Sequence, residues 1–376
     1  MKQVNLLIKP ASSGCNMSCH YCFYRDLAKK RDQGDRGLMS RDTAAVLIRW
    51  AFEAVDDGGQ VQFSFQGGEP TLAGLSFFRS FVDLASEYRR PGVTVSYAIQ
   101  TNGLAMDQAW ADFFRDHRFL VGLSVDGPKD LHDLHRPDAG GNGTWDRVTA
   151  NLRLLQERGV PTNLLCVVTR QSAHAPRQTY AALKKLGVRY LQFIPCLDPL
   201  EEPRGTEPYS IAPEEYGRFL CRLFDAWYLD WKRGEYISIR LFDDYVHLMM
   251  GLSPSTCATA GACGAYLVVE ADGKLDPCDF YAVDHDCLCR VGSSPLSEVI
   301  SGEAASAFRA ESAKKPKACK TCPWFSLCRG GCQRDWVATE QGFENYLCPA
   351  FRQFFAYAER RLDEIASAEL QHQGKS

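Results

Sequence analysis

The sequence predicts an α/β fold: six parallel strands with helices outside them, followed by a smaller cysteine-rich region. Three observations lead there. Short apolar, β-branched runs alternate with longer helical patterns over the first two-thirds of the 376 residues. A strand–helix–strand series of this kind places successive strands side by side through right-handed crossovers. Six such units are too few for the complete eight-unit barrel, so an open, partial (β/α)6 barrel is expected. Cysteines then crowd into the last third of the chain.

The expected strands are Val4–Lys9, Val61–Gln66, Thr94–Gln100, Phe119–Val125, Asn163–Thr169 and Tyr190–Pro195. Each is short and rich in residues that fit a pleated, half-buried surface. Helical spacing of apolar residues runs through Ser40–Val55, Leu75–Tyr88, Asp107–Arg115, Thr144–Arg158 and Arg177–Leu186. Pro199 to Pro213 is the clearest linker, rich in Pro, Glu and Gly, and an aromatic-rich helix follows at Tyr216–Trp231. The expected domains are therefore 1–235, 236–350 and a C-terminal helix over 351–376. Tyr266–Glu270 and Lys274–Leu275, joined by Ala271-Asp272-Gly273, read as a hairpin in the second of them.

A formal net charge of -3 gives no reason to expect nucleic acid or an anionic membrane as partner. Met1-Lys2-Gln3-Val4 leads straight into a strand without the apolar stretch of a signal peptide. No run approaches the roughly 20 apolar residues of a membrane span. Sixteen cysteines in such a chain argue for metal or cluster binding in a reducing cytoplasm rather than a disulfide scaffold.

Cys15-Asn16-Met17-Ser18-Cys19-His20-Tyr21-Cys22 follows the first strand. Three thiolates at this spacing can hold an iron–sulfur cube and leave one iron open to a ligand. A structural zinc would want a fourth ligand that the trio lacks. Tyr21, Phe23 and Tyr24 would shield the cube from water. Gln66-Gly67-Gly68-Glu69-Pro70 follows the second strand, where paired glycines permit close approach to the backbone. Gln100-Thr101-Asn102-Gly103 and Ser124-Val125-Asp126-Gly127-Pro128 end the third and fourth strands, the end at which barrel-type folds carry their chemistry. Taken alone, these are also ordinary turn sequences.

The second cysteine field comprises Cys257, Cys263, Cys278, Cys319, Cys322, Cys328, Cys332 and Cys348. Eight thiolates suffice for two fully ligated cubes, or for two four-cysteine zinc sites. Spacing alone does not sort them into sets. Cys166 and Cys196 sit in apolar strands as small hydrophobes. Cys287-Leu288-Cys289 forms a loop pair without an assigned role.

The C-x3-C-x2-C run after a strand resembles the signature of the radical S-adenosylmethionine (SAM) superfamily. That resemblance implies a cluster at Cys15, Cys19 and Cys22 with SAM on its open iron. It further implies that Tyr21 lies beside the cofactor, Gly68 holds the SAM amino group, Ser124 and Arg136 contact ribose and carboxylate, and Leu197 lies near adenine. The C-terminal cysteines resemble the SPASM extension. By that resemblance one auxiliary cluster takes Cys257, Cys263, Cys278 and Cys332, and a second takes Cys319, Cys322, Cys328 and Cys348, making three [4Fe-4S] clusters in all.

The stretches LLIKPASSGCNMSCHYCFY, FQGGEPTLAGL, QTNG, FLVGLSVDGPK, CLDPL and PCDFY, with C-x2-C-x-WF-x-LC-x-GGC, narrow the resemblance to the anaerobic sulfatase-maturating enzymes. These oxidise a cysteine or serine in a Cys/Ser-x-Pro-x-Arg segment of a sulfatase polypeptide to 3-oxoalanine (formylglycine). The resemblance implies hydrogen abstraction from Cβ by the 5′-deoxyadenosyl radical, Asp279 as base, and an auxiliary cluster as electron acceptor. A flavodoxin- or ferredoxin-like electron donor is the expected second partner. Cys287 and Cys289 depart from the family pattern. A SPASM-type maturase of a ribosomal peptide, forming a crosslink or an epimer, would share these motifs; the aspartate after Cys278 favours sulfatase maturation. A plain iron–sulfur electron carrier would need no SAM pocket.

Overall fold

The computed structural model describes residues 1–340 and 342–373. They form two compact units, each assembled from separate stretches of chain: 1–124, 132–163 and 264–308 in the first, and 125–131, 164–263 and 309 onward in the second.

In the first unit, β1 (Gln3–Ile8), β2 (Gln60–Phe65), β3 (Thr94–Thr101) and β4 (Leu120–Ser124) lie parallel and in chain order. The expected helices follow β2 and β3 at Leu75–Tyr88 and Gln108–Asp116, and Arg41–Ala54 precedes β2. Local chemistry sets two of their starts. Ser40 Oγ accepts from Thr43 N at 3.0 Å, and Asp107 Oδ1 accepts from Trp110 N at 3.0 Å, each satisfying an N–H that the first turn leaves open. Phe63, Phe65, Phe78, Phe81, Phe114 and Phe119 are almost fully buried between sheet and helices, mostly edge to face. Each such burial contributes about 1.5–3 kcal/mol.

β5 (Thr162–Val168) and β6 (Tyr190–Pro195) complete the six expected strands. In the second unit β6 pairs in parallel with both β5 and a short β7 (Ser238–Ile239). The 199–213 stretch, expected as a linker, is tied down. Asp198 accepts from Ser210 Oγ and from Gly205 N, Arg170 N donates to Tyr209 O, and Arg204 reaches Arg334 O. The helix Pro213–Lys232 then packs along the last helix, Cys348–Gln373, through Tyr228 and Lys232 to Glu364 and Arg361 to Asp225.

The expected hairpin is present as β8 (Leu267–Val269) and β9 (Lys274–Asp276), with β10 (Cys289–Arg290) on its outer edge. Less expected is its partner: β8 lies parallel to β1, so residues 267–269 flank residues 6–8. The first unit therefore orders its strands β10-β9-β8-β1-β2-β3-β4.

Candidate active site

The cysteine run forms a loop directly after β1. Two backbone bonds tie it to residues 135–137: Ser18 N donates to Pro137 O at 2.9 Å and His20 N to His135 O at 3.0 Å. Between them the Arg136 guanidinium stands 5.4 Å over the Tyr21 ring, and both residues are buried. Two residues expected around SAM are thus brought together beside the thiols. Burial pushes the Cys15 thiol up to about 12, and the nearby Cys19 and Cys22 add to the rise. Three thiols gathered on one short loop fit a site whose metal takes them as thiolates.

Gly67 and Gly68 also pack closely against the chain's own backbone. Gly68 N donates to Ser12 O at 2.9 Å, and a Cβ on Gly68 would lie 2.1 Å from Gly14 O. The glycine pair lets the turn after β2 close on the backbone leading into the cysteine loop.

Glu69 and Asn102 were inside recognised motifs but had no assigned role. The buried Glu69 carboxylate accepts from Thr71 N (3.1 Å), Thr71 Oγ1 (2.6 Å), Thr101 Oγ1 (2.7 Å) and Asn102 N (2.8 Å). Burial raises its pKa and these bonds oppose the rise. Glu69 thereby fastens the turn after β2 to the end of β3. Asn102 continues the chain of contacts: its Nδ2 donates to Asn16 Oδ1 at 2.7 Å and lies 3.7 Å from Cys15 Sγ. Ser124, at the end of β4, accepts from Gln100 Nε2 at 3.0 Å. Leu197 belongs to the second unit, half-buried after β6 between the buried Cys196 and Asp198.

Asp279 lies in the first unit with the cysteine loop and follows Cys278. Its Oδ2 accepts from Tyr24 Oη at 2.5 Å, with Gln66 Nε2 at 3.5 Å, and its Oδ1 is 2.9 Å from Lys9 Nζ. Lys9 also pairs with Glu270 at 3.1 Å, and Glu270 with Arg31 at 2.7 Å. All four charged groups are buried. Burial alone would lower the Lys9 pKa, but Asp279 and Glu270 hold it above its ordinary value. The Tyr24 hydroxyl is pushed well above its usual range by burial and by Asp279, so it stays a donor. Sequence reasoning missed Lys9, Arg31 and Glu270.

In the second unit Cys319, Cys322, Cys328 and Cys348 come together. Burial pushes Cys328 up to about 12, with Cys348, Cys319 and Cys322 each adding to it, and Cys319 responds to Cys348 and Cys322. Cys348 opens the last helix. Cys257 and Cys263 also lie within electrostatic reach of each other. Cys332 Sγ accepts from Arg334 N at 3.4 Å, and Cys278 is buried in the first unit. Among the described residues no cysteine is part of a disulfide. Among the described residues no three His, Cys, Asp or Glu side chains gather as ligands of a single metal ion. Cys166, Cys196 and Cys221 are buried, whereas Cys287 and Cys289 are half-buried at the β10 edge.

The family model of the radical SAM superfamily matches residues 10–183, and that of the SPASM iron-sulfur cluster-binding domain matches residues 260–323. The cysteine-type anaerobic sulfatase-maturating enzyme of Clostridium novyi is 38% identical over 371 residues, covering 97% of this chain and 98% of its own length. The chain belongs to the anaerobic sulfatase-maturating enzymes. It is thus a radical SAM enzyme with the α/β fold of that superfamily and a C-terminal SPASM domain. A serine-type member from Klebsiella pneumoniae is 32% identical, over 94% of this chain and 86% of its own. The solved structure of native anSMEcpe with bound AdoMet and Cp18Cys peptide superposes with a TM-score of 0.92 at 39% identity, covering 97% of this chain and 99% of that one. Radical SAM and SPASM domains imply [4Fe-4S] clusters. Among the described residues no helix is long and apolar enough to cross a membrane.

Proposed function

We propose that this enzyme oxidises the cysteine of a Cys-x-Pro-x-Arg segment in a sulfatase to 3-oxoalanine, with serine as the alternative target residue. The observation that carries the proposal is the placement of Asp279: a buried carboxylate after Cys278, in the same unit as the cysteine loop, held between Lys9 and Tyr24.

Cys15, Cys19 and Cys22 would hold one cluster; Cys257, Cys263, Cys278 and Cys332 a second; and Cys319, Cys322, Cys328 and Cys348 a third. When bound, the clusters and SAM supply a radical able to remove a hydrogen atom from the substrate Cβ, and an outlet for the electron that leaves afterwards. The chain does the rest. Tyr21, Gly68, Ser124, Arg136 and Leu197 orient SAM. Asp279 Oδ2 takes the proton from the substrate thiol, and the Lys9 ammonium at Oδ1, 2.9 Å away, holds the carboxylate in place. Loss of one hydrogen atom, one proton and one electron leaves a thioaldehyde; water adds and sulfide departs, giving the aldehyde. A flavodoxin- or ferredoxin-like protein of an anaerobic cytoplasm would donate the priming electron.

The test is an anaerobic assay of reconstituted enzyme with SAM, reductant and paired Cys-x-Pro-x-Arg and Ser-x-Pro-x-Arg peptides, read by mass spectrometry. Aldehyde formation that disappears in Asp279→Asn, while SAM cleavage persists, supports the reading. SAM cleavage with neither peptide modified overturns it in favour of another peptide substrate.

A further inference from the structure

Within the second unit, one lysine joins the two C-terminal cysteine sets. Lys315 Nζ donates to Gly261 O at 2.5 Å and to Ser312 O at 2.7 Å, and stands 5.7 Å over the Trp336 ring. Gly261 lies in the loop between Cys257 and Cys263. Ser312 in turn fixes Cys263, whose N–H donates to Ser312 Oγ at 3.0 Å. The lysine stem crosses the other loop: a Cβ on Gly330, between Cys328 and Cys332, would sit 3.0 Å from Lys315 Cδ. Gly330 O accepts from Trp336 Nε1 at 3.1 Å and from Asn345 Nδ2 at 3.0 Å, so that loop is held from behind. The two loops also interlock directly, since a Cβ on Gly261 would lie 2.4 Å from Arg329 O.

Cys319, Cys263 and Cys328 are the thiols that act on this ammonium; they support its charge while burial draws its pKa down. Cys263 belongs to one proposed ligand set, and Cys319 and Cys328 to the other. A cation fixed beside sulfur ligands lowers the energy of the more negative, reduced form of whatever cluster those ligands carry.

We propose that Lys315 is a positioning residue shared by both C-terminal cysteine sets, its ammonium clamping their ligand loops together and favouring the reduced state of both auxiliary clusters. The proposal rests on the cluster assignments above. It gives the substrate's departing electron a more receptive destination than the thiolate ligands alone would provide.

The experiment is a spectroscopically monitored redox titration of anaerobically reconstituted full-length enzyme, as wild type, Lys315→Met and Lys315→Arg, with iron counted in each. The reduction equilibrium of the C-terminal clusters should move at least tenfold toward the oxidised form in K315M, about 59 mV for a one-electron couple. In K315R it should stay within about threefold of wild type, and the N-terminal cluster should not move in either variant. Unmoved C-terminal potentials in K315M at full iron content overturn this proposal alone. Wild-type iron sufficient only for the N-terminal cluster overturns the cluster assignment and this proposal with it. Should K315M lose iron, Lys315→Gln, which retains a donor without the charge, is titrated against the same criteria.

Discussion

Lys9 Nζ and Asp279 Oδ1 meet at 2.9 Å with almost no exposure to solvent on either side. A lysine at the end of the first strand thus neutralises a carboxylate contributed from far along the chain. Removing one partner of a buried pair leaves the other charge unmatched, at a cost of about 3–5 kcal/mol. Lys9→Met should therefore be less stable by that amount and unfold at a lower denaturant concentration. Peptide oxidation should fall by more than tenfold even at temperatures where the variant stays folded. Chemical denaturation and product mass spectrometry on the same preparation check both.

Gly68→Ala tests the fit between the turn after β2 and the cysteine loop. The added methyl would start 2.1 Å from Gly14 O, so the loop carrying Cys15 must move. The expected result is loss of about four irons per chain, one cube's worth, with the C-terminal clusters retained. Iron analysis combined with SAM cleavage reads it; full iron with normal cleavage would contradict the account.

Glu69→Gln removes a charge that four donors converge on. An amide offers only one accepting oxygen, and each buried donor left without a partner costs about 1–3 kcal/mol. Because Asn102 connects this carboxylate to Asn16 and Cys15, weaker SAM binding should accompany the lost stability. Calorimetric titration of SAM and thermal unfolding measure the two effects.

Asp284 should make the protein acid-sensitive over a defined window. A hydrogen bond from Lys274, with Asp32 N and Arg36, holds its carboxyl down at about 2. A depressed carboxylate stabilises the fold fully above the ordinary aspartate pKa of about 3.9 and loses that contribution as pH falls through its folded value. Asp284→Asn should therefore be less stable than wild type at pH 6, by about 1–2 kcal/mol. The two should converge as pH approaches 2. Denaturation curves at several pH values decide it.

The six strands were readable because β-branched runs carry a short-range signal, and the observed bounds differ from the expected ones by no more than one residue at any strand end. Helix starts at Ser40 and Asp107 were equally local. The Lys9–Glu270–Arg31–Asp279 network was not readable. Arg31 and Glu270 are 239 residues apart, and nothing in a lone Lys at a strand end announces a partner in a distant hairpin. Glu69 and Asn102 stood inside motifs that were recognised, yet their bonds depend on β2 and β3 lying side by side. Gly68 stands out in the sequence for close approach to its backbone, and only packing shows that Gly14 O is one of the atoms that approach it.

The pairing of β8 with β1 has a consequence for how the molecule is made. Ser12, just beyond β1, bonds to Glu270 across 258 residues of chain. At a synthesis rate of about 5–20 residues per second, the first strand leaves the ribosome on the order of ten seconds or more before its outer neighbour exists. During that interval one edge of β1 is an open row of peptide groups, the kind of surface on which chains adhere to one another, and Lys9 has no counter-ion. The half of the protein born first therefore stays unfinished until residues 264–308 exist, and its opening strand depends on protection until the hairpin arrives to close it.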